Sequence, residues 1–320
     1  MQKVLVTGGA GFIGSNFCNI NKNKFEVTAL DNLFLGSPDN LDSDIRFIEG
    51  DACKIEDLEK VGPVDYVVHL AGTSSQPMFN GDGLIDGYVN SVQSFVTVLE
   101  WARKNGTKKV MYASTSSLYA NNPTPLVETQ HVTPPNHYAV TKQVYENCAQ
   151  CYAQVYPEMD IIGFRFMSVY GPNEESKEIY ANLISQFAWD IARDLPPVIY
   201  GDGTQTRDFT NVADVVQGIT RGIEHKEKLG ADVFNIGMGH ETSLNDIVAA
   251  LNKSFNKDIQ PTYIENPVKE NYVRSQCANI SKITNTLGYK AVVSLEEGIQ
   301  KQVDNLRMER VKQTSSDNFR

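Results

Sequence analysis

The chain has 320 residues, of which 41% are hydrophobic and 21% are charged, so it can build one large domain or two closely joined ones. Its 29 basic and 39 acidic residues give a net charge of −10 without a basic stripe, which argues against binding to a nucleic-acid backbone. We expect no secretory leader and no membrane-spanning segment, and the odd, scattered set of five cysteines suits reduced thiols in the cytoplasm.

Short apolar runs alternate with helical patterns through the first half of the chain. The runs are rich in β-branched and aromatic residues and lack strict alternation, as strands buried on both faces do; they cover 3–8, 25–30, 45–50, 66–72, 109–114 and 161–166. Helices are predicted near 12–22, 55–60, 85–104 and 138–156. This alternation predicts an α/β fold with a doubly wound parallel sheet.

The segment TGGAGFIG at 7–14 joins the first predicted strand to the first predicted helix. Its spacing allows a tight turn, close approach of the backbone to a pyrophosphate and close helix packing, through three glycines: Gly8, Gly11 and Gly14. Asp31 ends the second strand, where its carboxylate can accept hydrogen bonds from both ribose hydroxyls of an adenosine. Asn32 and Leu33 follow, with no arginine to meet a 2′-phosphate, so the pattern predicts NAD rather than NADP.

The second half of the chain is less regular. Helical patterns at 178–193 and 212–224 flank a turn-rich segment at 195–209, and a strand is predicted at 233–237. We expect an NAD-binding Rossmann domain over 1–170, to which later segments near 210–240 return. A smaller, mostly C-terminal α/β substrate-binding lobe is expected over 171–320.

The strand at 109–114 runs into a row of four hydroxyl residues, which together we call the hydroxyl row: Ser114, Thr115, Ser116 and Ser117. Such a row is costly to bury unless it bonds to something, and ligands of open α/β sheets bind at this edge. Tyr138 and Lys142, four residues apart, share one helix face. A neighbouring ammonium lowers the pKa of a tyrosine toward working pH and makes it a usable general base, although exposed Tyr–Lys pairs are common on helices.

Taken together, these motifs resemble those of the extended short-chain dehydrogenase/reductases, specifically the nucleotide-sugar epimerase/dehydratase group. The resemblance covers nearly the whole chain: TGGAGFIG, DN at 31–32, GD at 50–51, HLAG at 69–72, Asn90, STSSLY, YAVTK, RFMSVYGP and GDGTQTRDF. In that group the catalytic hydroxyl lies four residues before the tyrosine that closes the serine-rich segment, which gives Thr115. The resemblance implies that Thr115 bonds the reacting sugar hydroxyl, Tyr138 takes its proton, and Lys142 holds Tyr138 and the nicotinamide ribose. It implies the following NAD-binding residues: Gly8, Gly11, Phe12, Ile13, Gly14, Asp31, Asn32, Leu33, Ser37, Asp51, Ala52, Leu70, Ala71, Gly72, Asn90, Ser114, Tyr138 and Lys142.

The two positions after Thr115 separate the reactions of the group. Members that dehydrate sugars carry Asp-Glu there and decarboxylases usually carry Ser-Glu, whereas this chain has Ser116 and Ser117. Neither serine is a competent carboxylate acid or base, so oxidation and reduction at one carbon remain. The resemblance therefore implies an NAD-dependent epimerase, and most members with small residues here act at position 4 of a UDP-hexose.

The second half is expected to recognise the nucleotide diphosphate of the sugar. By the resemblance the substrate-binding residues are Thr73, Ser74, Thr115, Ser116, Ser168, Asn182, Arg207 and Arg274, with Arg207 gripping the diphosphate through a bidentate guanidinium. Two positions depart from the family pattern. Ser168 replaces an asparagine, and ENYVRSQCANISK at 270–282 replaces the usual Arg-x-Gly-Asp, with Arg274 as the candidate substitute.

Several alternatives stay open. The chain could be another epimerase of the same family, such as one acting on an ADP-heptose, or a dehydratase or reductase; a non-enzymatic dinucleotide sensor is disfavoured because Thr115, Tyr138 and Lys142 are all kept. By analogy with relatives, helices at 85–104 and 138–156 imply a homodimer. Cys148 and Cys151 lie in a predicted helix with no second pair at metal spacing, so no metal site is expected.

Overall fold

The computed structural model describes residues 1–266 and 272–317, with side chains described up to residue 306. In chain order its strands are β1 (Lys3–Thr7), β2 (Glu26–Asp31), β3 (Arg46–Glu49), β4 (Tyr66–His69), β5 (Lys109–Thr115), β6 (Asp160–Phe166), β7 (Ser168–Tyr170), β8 (Val198–Tyr200), β9 (Thr206–Arg207), β10 (Phe209–Asn211), β11 (Ala231–Ile236), β12 (Thr242–Ser243) and β13 (Thr262–Ile264).

The α-helices are α1 (Phe12–Asn21), α2 (Ile55–Glu59), α3 (Gly83–Tyr88), α4 (Ser94–Lys104), α5 (His137–Val155), α6 (Leu183–Ala192), α7 (Val212–Glu224), α8 (Leu244–Phe255), α9 (Ser281–Leu287) and α10 (Leu295–Asp317). The predicted helix at 85–104 is interrupted by a π-helical segment, Val89–Gln93. The predicted helix at 178–193 is shorter than expected, because Ala181 and Asn182 are extended and the Asn182 side chain caps α6.

A seven-stranded parallel sheet forms the centre of the protein, in the order β11-β6-β5-β4-β1-β2-β3. This is the doubly wound arrangement, and the chain reverses direction across the sheet between β1 and β4. All six strands predicted in the first half belong to it, and so does the strand predicted at 233–237, which is β11. The α/β fold class is therefore confirmed, whereas the division of the chain near residue 170 stays a prediction.

Both faces of the sheet are buried because successive side chains of each strand point to opposite sides. Val4 and Val6 of β1 pack on the side of α1 and α7, in a cluster with Phe17 and Val215. Leu5 packs on the other side with residues of α4 and α5. A third cluster joins α6, α8 and α10 outside the sheet: Ile184, Phe187, Ile191, Leu244, Ile247, Leu251, Ile299 and Val303.

Over the described ranges, no helix is both long and apolar enough to cross a membrane.

Candidate active site

A cleft of about 570 Å³ opens at the carboxyl ends of the central strands. One side is formed by the glycine loop after β1 and the ends of β2 and β4. The other is formed by the segment that follows β6, by β9 and by residues that follow β13. Its size and position are those of ligand sites in open α/β sheets.

The glycine loop is packed so closely that side chains are excluded from two of its positions. Gly8 has a φ of +68°, and a Cβ there would lie 2.7 Å from the backbone nitrogen of Ala71. A Cβ at Gly14 would lie 2.0 Å from the carbonyl oxygen of Gly8. Gly11 caps α1 without a side-chain hydrogen bond, so the N–H groups of the first turn are left for an anion. The loop therefore fits a pyrophosphate.

Asp31 is buried at the end of β2, beside this loop. Its Oδ2 accepts a hydrogen bond from the Ala10 N–H at 3.0 Å, and its Oδ1 accepts one from the Leu33 N–H at 2.8 Å. Burial raises the pKa of Asp31, and these hydrogen bonds oppose the rise. The carboxylate is thus held in one orientation, with lone pairs remaining for ribose hydroxyls. Only acidic and uncharged residues line this end of the cleft within the described chain, which fits NAD.

Most of the predicted NAD-binding residues line the cleft: Gly8, Gly11, Phe12, Ile13, Gly14, Asp31, Asn32, Asp51, Ala52, Leu70, Ala71, Gly72, Asn90, Ser114, Tyr138 and Lys142. Leu33 and Ser37 lie outside its lining. Leu33 supplies an N–H to Asp31, while Ser37 accepts a hydrogen bond from Asp39 and donates its own N–H to the Ala10 carbonyl. Both hold the loop in place, and a direct role in binding NAD stays a prediction for each.

Thr115, Tyr138 and Lys142 meet at the floor of the cleft. The side chain of Asn136 caps α5, which begins at His137, one residue before Tyr138. Lys142 Nζ lies 6.0 Å from the centroid of the Tyr138 ring and 4.3 Å from that of Tyr145. The structure therefore brings together the three residues that the sequence nominated.

In the ligand-free protein, the pKa shifts of Tyr138 and Lys142 differ from those expected from the four-residue spacing alone. Burial raises the pKa of Tyr138, and the side-chain interaction with Thr115 lowers it only in part. Burial also lowers the pKa of Lys142 to about 7, and no carboxylate in the described chain pairs with its ammonium. Because water is excluded, the charged form of each residue is costly.

The hydroxyl row is held by three separate hydrogen bonds. Ser114 Oγ donates to Glu146 Oε1 at 2.6 Å, and Thr115 Oγ1 accepts from the Ser117 N–H at 3.1 Å. Ser116 Oγ accepts from Gln276 Nε2 at 2.9 Å. The three buried hydroxyls, those of Ser114, Thr115 and Ser116, are therefore all hydrogen-bonded, which is how a hydroxyl-rich segment can end a buried strand.

A buried ion pair lies beneath the row. Arg165 donates to both carboxylate oxygens of Glu146, at 2.9 and 2.7 Å, and its guanidinium lies over the Tyr119 ring. Since Glu146 is engaged by Arg165 and Ser114, it is an orienting group rather than a free acid.

Arg207 lies on the opposite side of the cleft, partly buried against the Tyr272 ring at 5.6 Å. Its Nη1 donates to the Thr206 carbonyl at 2.7 Å, and burial lowers its pKa from the usual value. No carboxylate of the described chain forms a salt bridge with Arg207. The adjacent Asp208 points into the core and accepts three backbone N–H groups, which fixes the strand that carries Arg207.

The other predicted substrate residues divide into two groups. Thr73, Ser74, Ser116, Ser168 and Asn182 line the cleft together with Thr115 and Arg207, and Asn182 Nδ2 donates to Ser168 Oγ at 3.0 Å. Arg274 does not belong to the described lining: its side chain is exposed, and its carbonyl accepts a hydrogen bond from the Thr206 N–H. Substrate binding by Arg274 stays a prediction that this placement does not favour.

The cleft also contains polar residues that the sequence did not nominate: Gln76, Glu174, Lys177, Tyr180, Tyr272 and Gln276. Glu174 is fully buried and accepts hydrogen bonds from Ser185 Oγ, the Asn182 N–H and Lys177 Nζ. The charge-rich NEESKE at 173–178 was a visible signal for Glu174 and Lys177. Tyr272 and Gln276 follow a segment without periodicity, so no local pattern pointed to them.

No group of His, Cys, Asp and Glu side chains suited to a metal ion occurs within the described part of the chain.

The chain is similar to several known epimerases of UDP-sugars. A UDP-glucuronate 4-epimerase of Thermodesulfobacterium geofontis is 30% identical over 326 residues, covering 95% of this chain and 96% of its own. The structure of a UDP-N-acetylglucosamine 4-epimerase from Methanobrevibacter ruminantium superposes with a TM-score of 0.89 at 27% identity, over 96% of this chain and 99% of that one. That of Thermus thermophilus UDP-glucose 4-epimerase in complex with NAD has a TM-score of 0.83 at 26% identity, over 95% and 99% of the two chains.

The profile of the NAD dependent epimerase/dehydratase family matches residues 4–237. This span contains the glycine loop, Asp31, the hydroxyl row, Tyr138, Lys142 and Arg207. The chain therefore belongs to the NAD-dependent epimerase/dehydratase family, and NAD is its cofactor.

Proposed function

We propose that the protein interconverts the C4 epimers of a UDP-hexose, either UDP-glucose and UDP-galactose or their N-acetyl forms. The observation that carries this proposal is the meeting of Thr115, Tyr138 and Lys142 in the same cleft as the glycine loop, with serine at both following positions. Relatives acting on UDP-glucose, UDP-N-acetylglucosamine and UDP-glucuronate support a UDP-sugar substrate and leave the sugar to experiment.

Tyr138 is the proposed proton acceptor for the C4 hydroxyl of the sugar, and Thr115 Oγ1 holds that hydroxyl in place. Lys142 places its ammonium close to the phenol, so that its charge stabilises the phenolate once the site is filled. When bound, NAD supplies the redox chemistry by accepting hydride from the sugar carbon and returning it. Tyr138 then gives its proton back to the oxygen of the inverted sugar.

The positions of the carboxylates in the cleft favour epimerisation over the elimination of water. Dehydration needs an acid beside the reacting carbon, whereas Ser116 and Ser117 follow Thr115. Within the described lining the carboxylates are Asp31, Asp51 and Glu174, and the first two lie at the adenosine end. Both carboxylate oxygens of Glu174 are occupied by donors from its own surroundings, namely Ser185, Lys177 and the Asn182 N–H, so it holds the segment around Asn182 in place.

Arg207 is the proposed contact for the diphosphate of the substrate. It is a partly buried cation with no carboxylate partner in the described chain, and a phosphate group would compensate its charge. Asn182, Ser168, Thr73 and Ser74 complete the polar lining around the sugar nucleotide.

The reaction class is tested by incubating the NAD-loaded protein with UDP-, GDP-, ADP- and dTDP-sugars and analysing the products by NMR and mass spectrometry. With deuterium at C4 of the substrate, we expect a product of identical mass that keeps its label at C4. Loss of water would identify a dehydratase, loss of carbon dioxide a decarboxylase, and stoichiometric consumption of NADH a reductase.

We also propose a cytoplasmic homodimer. Ile85, Val89 and Val96 around α3 and α4, and Val155 at the end of α5, are exposed apolar residues on the two helical regions expected to pair. The five cysteines are free thiols, which suits a reducing compartment. Light scattering of the purified protein would give the mass of the assembly.

A further inference from the structure

A buried tyrosine lies beside Lys142 on the same helix. Tyr138, Lys142 and Tyr145 are spaced at i, i+4 and i+7 along α5, so the three side chains share one face. Lys142 Nζ lies 4.3 Å from the centroid of the Tyr145 ring, closer than its 6.0 Å to that of Tyr138. Tyr145 is fully buried and lies outside the described lining of the cleft, so its ring supports Lys142 from behind.

The Tyr145 ring is fixed in place by contacts from neighbouring helical segments. The Phe95 ring of α4 stacks on it, with a centroid separation of 4.3 Å and an interplanar angle of 12°. The Tyr145 hydroxyl donates to the Ser91 carbonyl at 2.9 Å, within the π-helical segment that interrupts the helix predicted at 85–104. Since the stacked Phe95 ring covers one face of Tyr145, the Lys142 ammonium lies over the other.

The loop after β4 closes over the hydroxyl of Tyr145. A Cβ at Gly72 would lie 2.9 Å from Tyr145 Oη and 3.6 Å from Ser91 Oγ. Gly72 has a φ of +127°, and it lines the cofactor side of the cleft. The lack of a side chain at Gly72 therefore leaves room for the tyrosine, and the loop, the ring and the ammonium are packed against one another.

The ionisable side chains around Lys142 provide no free negative charge. Burial lowers the pKa of His69, at the end of β4, to about 3, and it raises that of Cys53, after β3, to about 12. Both are therefore uncharged at neutral pH. Glu146, one turn further along α5, is already engaged by the Arg165 guanidinium.

The face of the Tyr145 ring is the contact that favours the charged form of Lys142. An aromatic ring carries negative charge at its face, and a cation within about 6 Å of the ring centroid is attracted to it, most strongly where water is excluded. In the ligand-free protein Tyr138 is a neutral phenol, because burial raises its pKa. Only a charged Lys142 can stabilise the phenolate that forms when Tyr138 loses its proton.

We propose that Tyr145 is a positioning residue of the active site, whose ring holds the Lys142 ammonium by a cation–π contact and keeps it charged beside Tyr138. The proposal rests on the proposed function for the role of Lys142, and it adds a residue that acts through Lys142 from outside the cleft lining.

The test replaces Tyr145 by phenylalanine and by phenylalanines that carry one, two or three ring fluorines. These rings have nearly the same shape, but each fluorine weakens the negative charge at the ring face. Carbon-13 NMR of the cofactor-free protein, labelled at lysine Cε, follows the titration of Lys142, whose signal is identified by its loss in Lys142→Met. We expect the protonation constant of Lys142 to fall stepwise, by roughly tenfold over the series.

Turnover is measured on the same variants. Because only the ammonium stabilises the phenolate, kcat for UDP-galactose at pH 7 should fall together with the protonation constant of Lys142. KM and NAD affinity should stay close to those of Tyr145→Phe, since the ring shape is kept. An unchanged kcat despite a falling protonation constant would overturn the positioning role.

Tyr112→Leu is the matched control for Tyr145→Leu. Tyr112 is a buried tyrosine of the same aromatic cluster, with its ring centroid 6.2 Å from that of Tyr145, and it makes no cation–π contact with Lys142 in the described chain. Both substitutions remove a ring and open a cavity, so both should lower the thermal stability. Only Tyr145→Leu should lower the protonation constant of Lys142.

Two outcomes of the titration overturn the proposal. An unchanged protonation constant across the fluorinated series would mean that the Tyr145 ring only fills space. A higher protonation constant in Tyr145→Leu would mean that the ring acts by excluding water, because water entering the cavity favours the ammonium. A wild-type protein that epimerises no UDP-sugar would instead refute the proposed function, and the titration would still decide whether Tyr145 holds the charge of Lys142.

Discussion

The two sides of the cleft are built in different ways. The cofactor side consists of the glycine loop at 7–14 and the ends of β2 and β4, where backbone packs on backbone at Gly8, Gly14 and Ala71. The substrate side consists of Ser168, Asn182, Arg207, Tyr272 and Gln276. Here side chains from distant segments meet, as in the Asn182–Ser168 and Gln276–Ser116 hydrogen bonds.

This difference predicts which kind of substitution should damage each side of the cleft. Where backbone atoms are in contact, an added side-chain atom has no room, so the cofactor side should be damaged by enlarging residues. Where side chains reach across the cleft, the contacts disappear when they are shortened, so the substrate side should be damaged by truncation. Substitutions in the floor between the two sides, formed by Thr115, Tyr138 and Lys142, should lower turnover more than they weaken the binding of NAD or of the substrate.

The largest effect is expected from Tyr138→Phe. The substitution removes only the ionisable hydroxyl, so turnover should fall by about 10²–10⁴-fold while NAD and UDP-sugar affinities stay close to those of the wild type. Steady-state rates and calorimetry measure the two quantities. A near wild-type rate would remove Tyr138 from the proposed mechanism and leave the floor without a base.

The next effect is a pH dependence of stability caused by Lys142. Burial lowers its pKa from 10.5 to about 7 in the folded protein, so the unfolded chain binds more protons between these values, and the free energy of unfolding rises with pH across that window. Below pH 7 the cost of burying the charge is present in full, on the order of 5 kcal/mol. In the cofactor-free protein, Lys142→Met should therefore be more stable than the wild type at pH 6, and this advantage should shrink toward pH 10.

Lys109 provides the comparison for this prediction, because burial lowers its pKa as well but the charge of Asp160 opposes that shift. Its ammonium lies 4.0 Å from Asp160 and 3.3 Å from the Gly222 carbonyl oxygen. Lys109→Met leaves these acceptors unpaired and should destabilise the protein at pH 6 in urea denaturation. If both variants are destabilised equally at pH 6, Lys142 is not an isolated buried charge.

Arg207→Ala tests the substrate side. Charge-assisted hydrogen bonds to a diphosphate are worth roughly 1.5–3 kcal/mol each, so KM should rise by roughly 10- to 100-fold. The fall in kcat should be smaller, because a contact far from the reacting carbon supplies uniform binding. NAD affinity should not change. An unchanged KM would place the diphosphate elsewhere in the cleft.

The smallest effect tests the cofactor side with two alanines in the same loop. A Cβ at Gly14 would lie 2.0 Å from the Gly8 carbonyl oxygen, whereas one at Gly11 would lie 3.3 Å from the same atom. Gly14→Ala should lower the free energy of unfolding of the cofactor-free protein by about 1–3 kcal/mol, and Gly11→Ala by clearly less. Equal values in chemical denaturation would show that close backbone packing does not distinguish the two positions.

The sequence by itself determined the sheet, the glycine loop, Asp31 and the group of Thr115, Tyr138 and Lys142. The sheet, the loop and the pairing of Tyr138 with Lys142 follow from local periodicity and short spacings, because strand burial, a strand-to-helix turn and a single helix face are all set within a few residues. The choice of Thr115 within the hydroxyl row came from the resemblance to the family. Tertiary structure decided the rest. It brought Gln276 to Ser116 and Glu174 to Asn182, and it left the Arg274 side chain exposed. These placements depend on which distant segments of the chain meet in the fold, and local sequence patterns do not contain that information. It also buried Tyr138 and Lys142, so that in the ligand-free protein burial raises the pKa of Tyr138 and lowers that of Lys142, a cost that depends on how fully the surrounding fold excludes water.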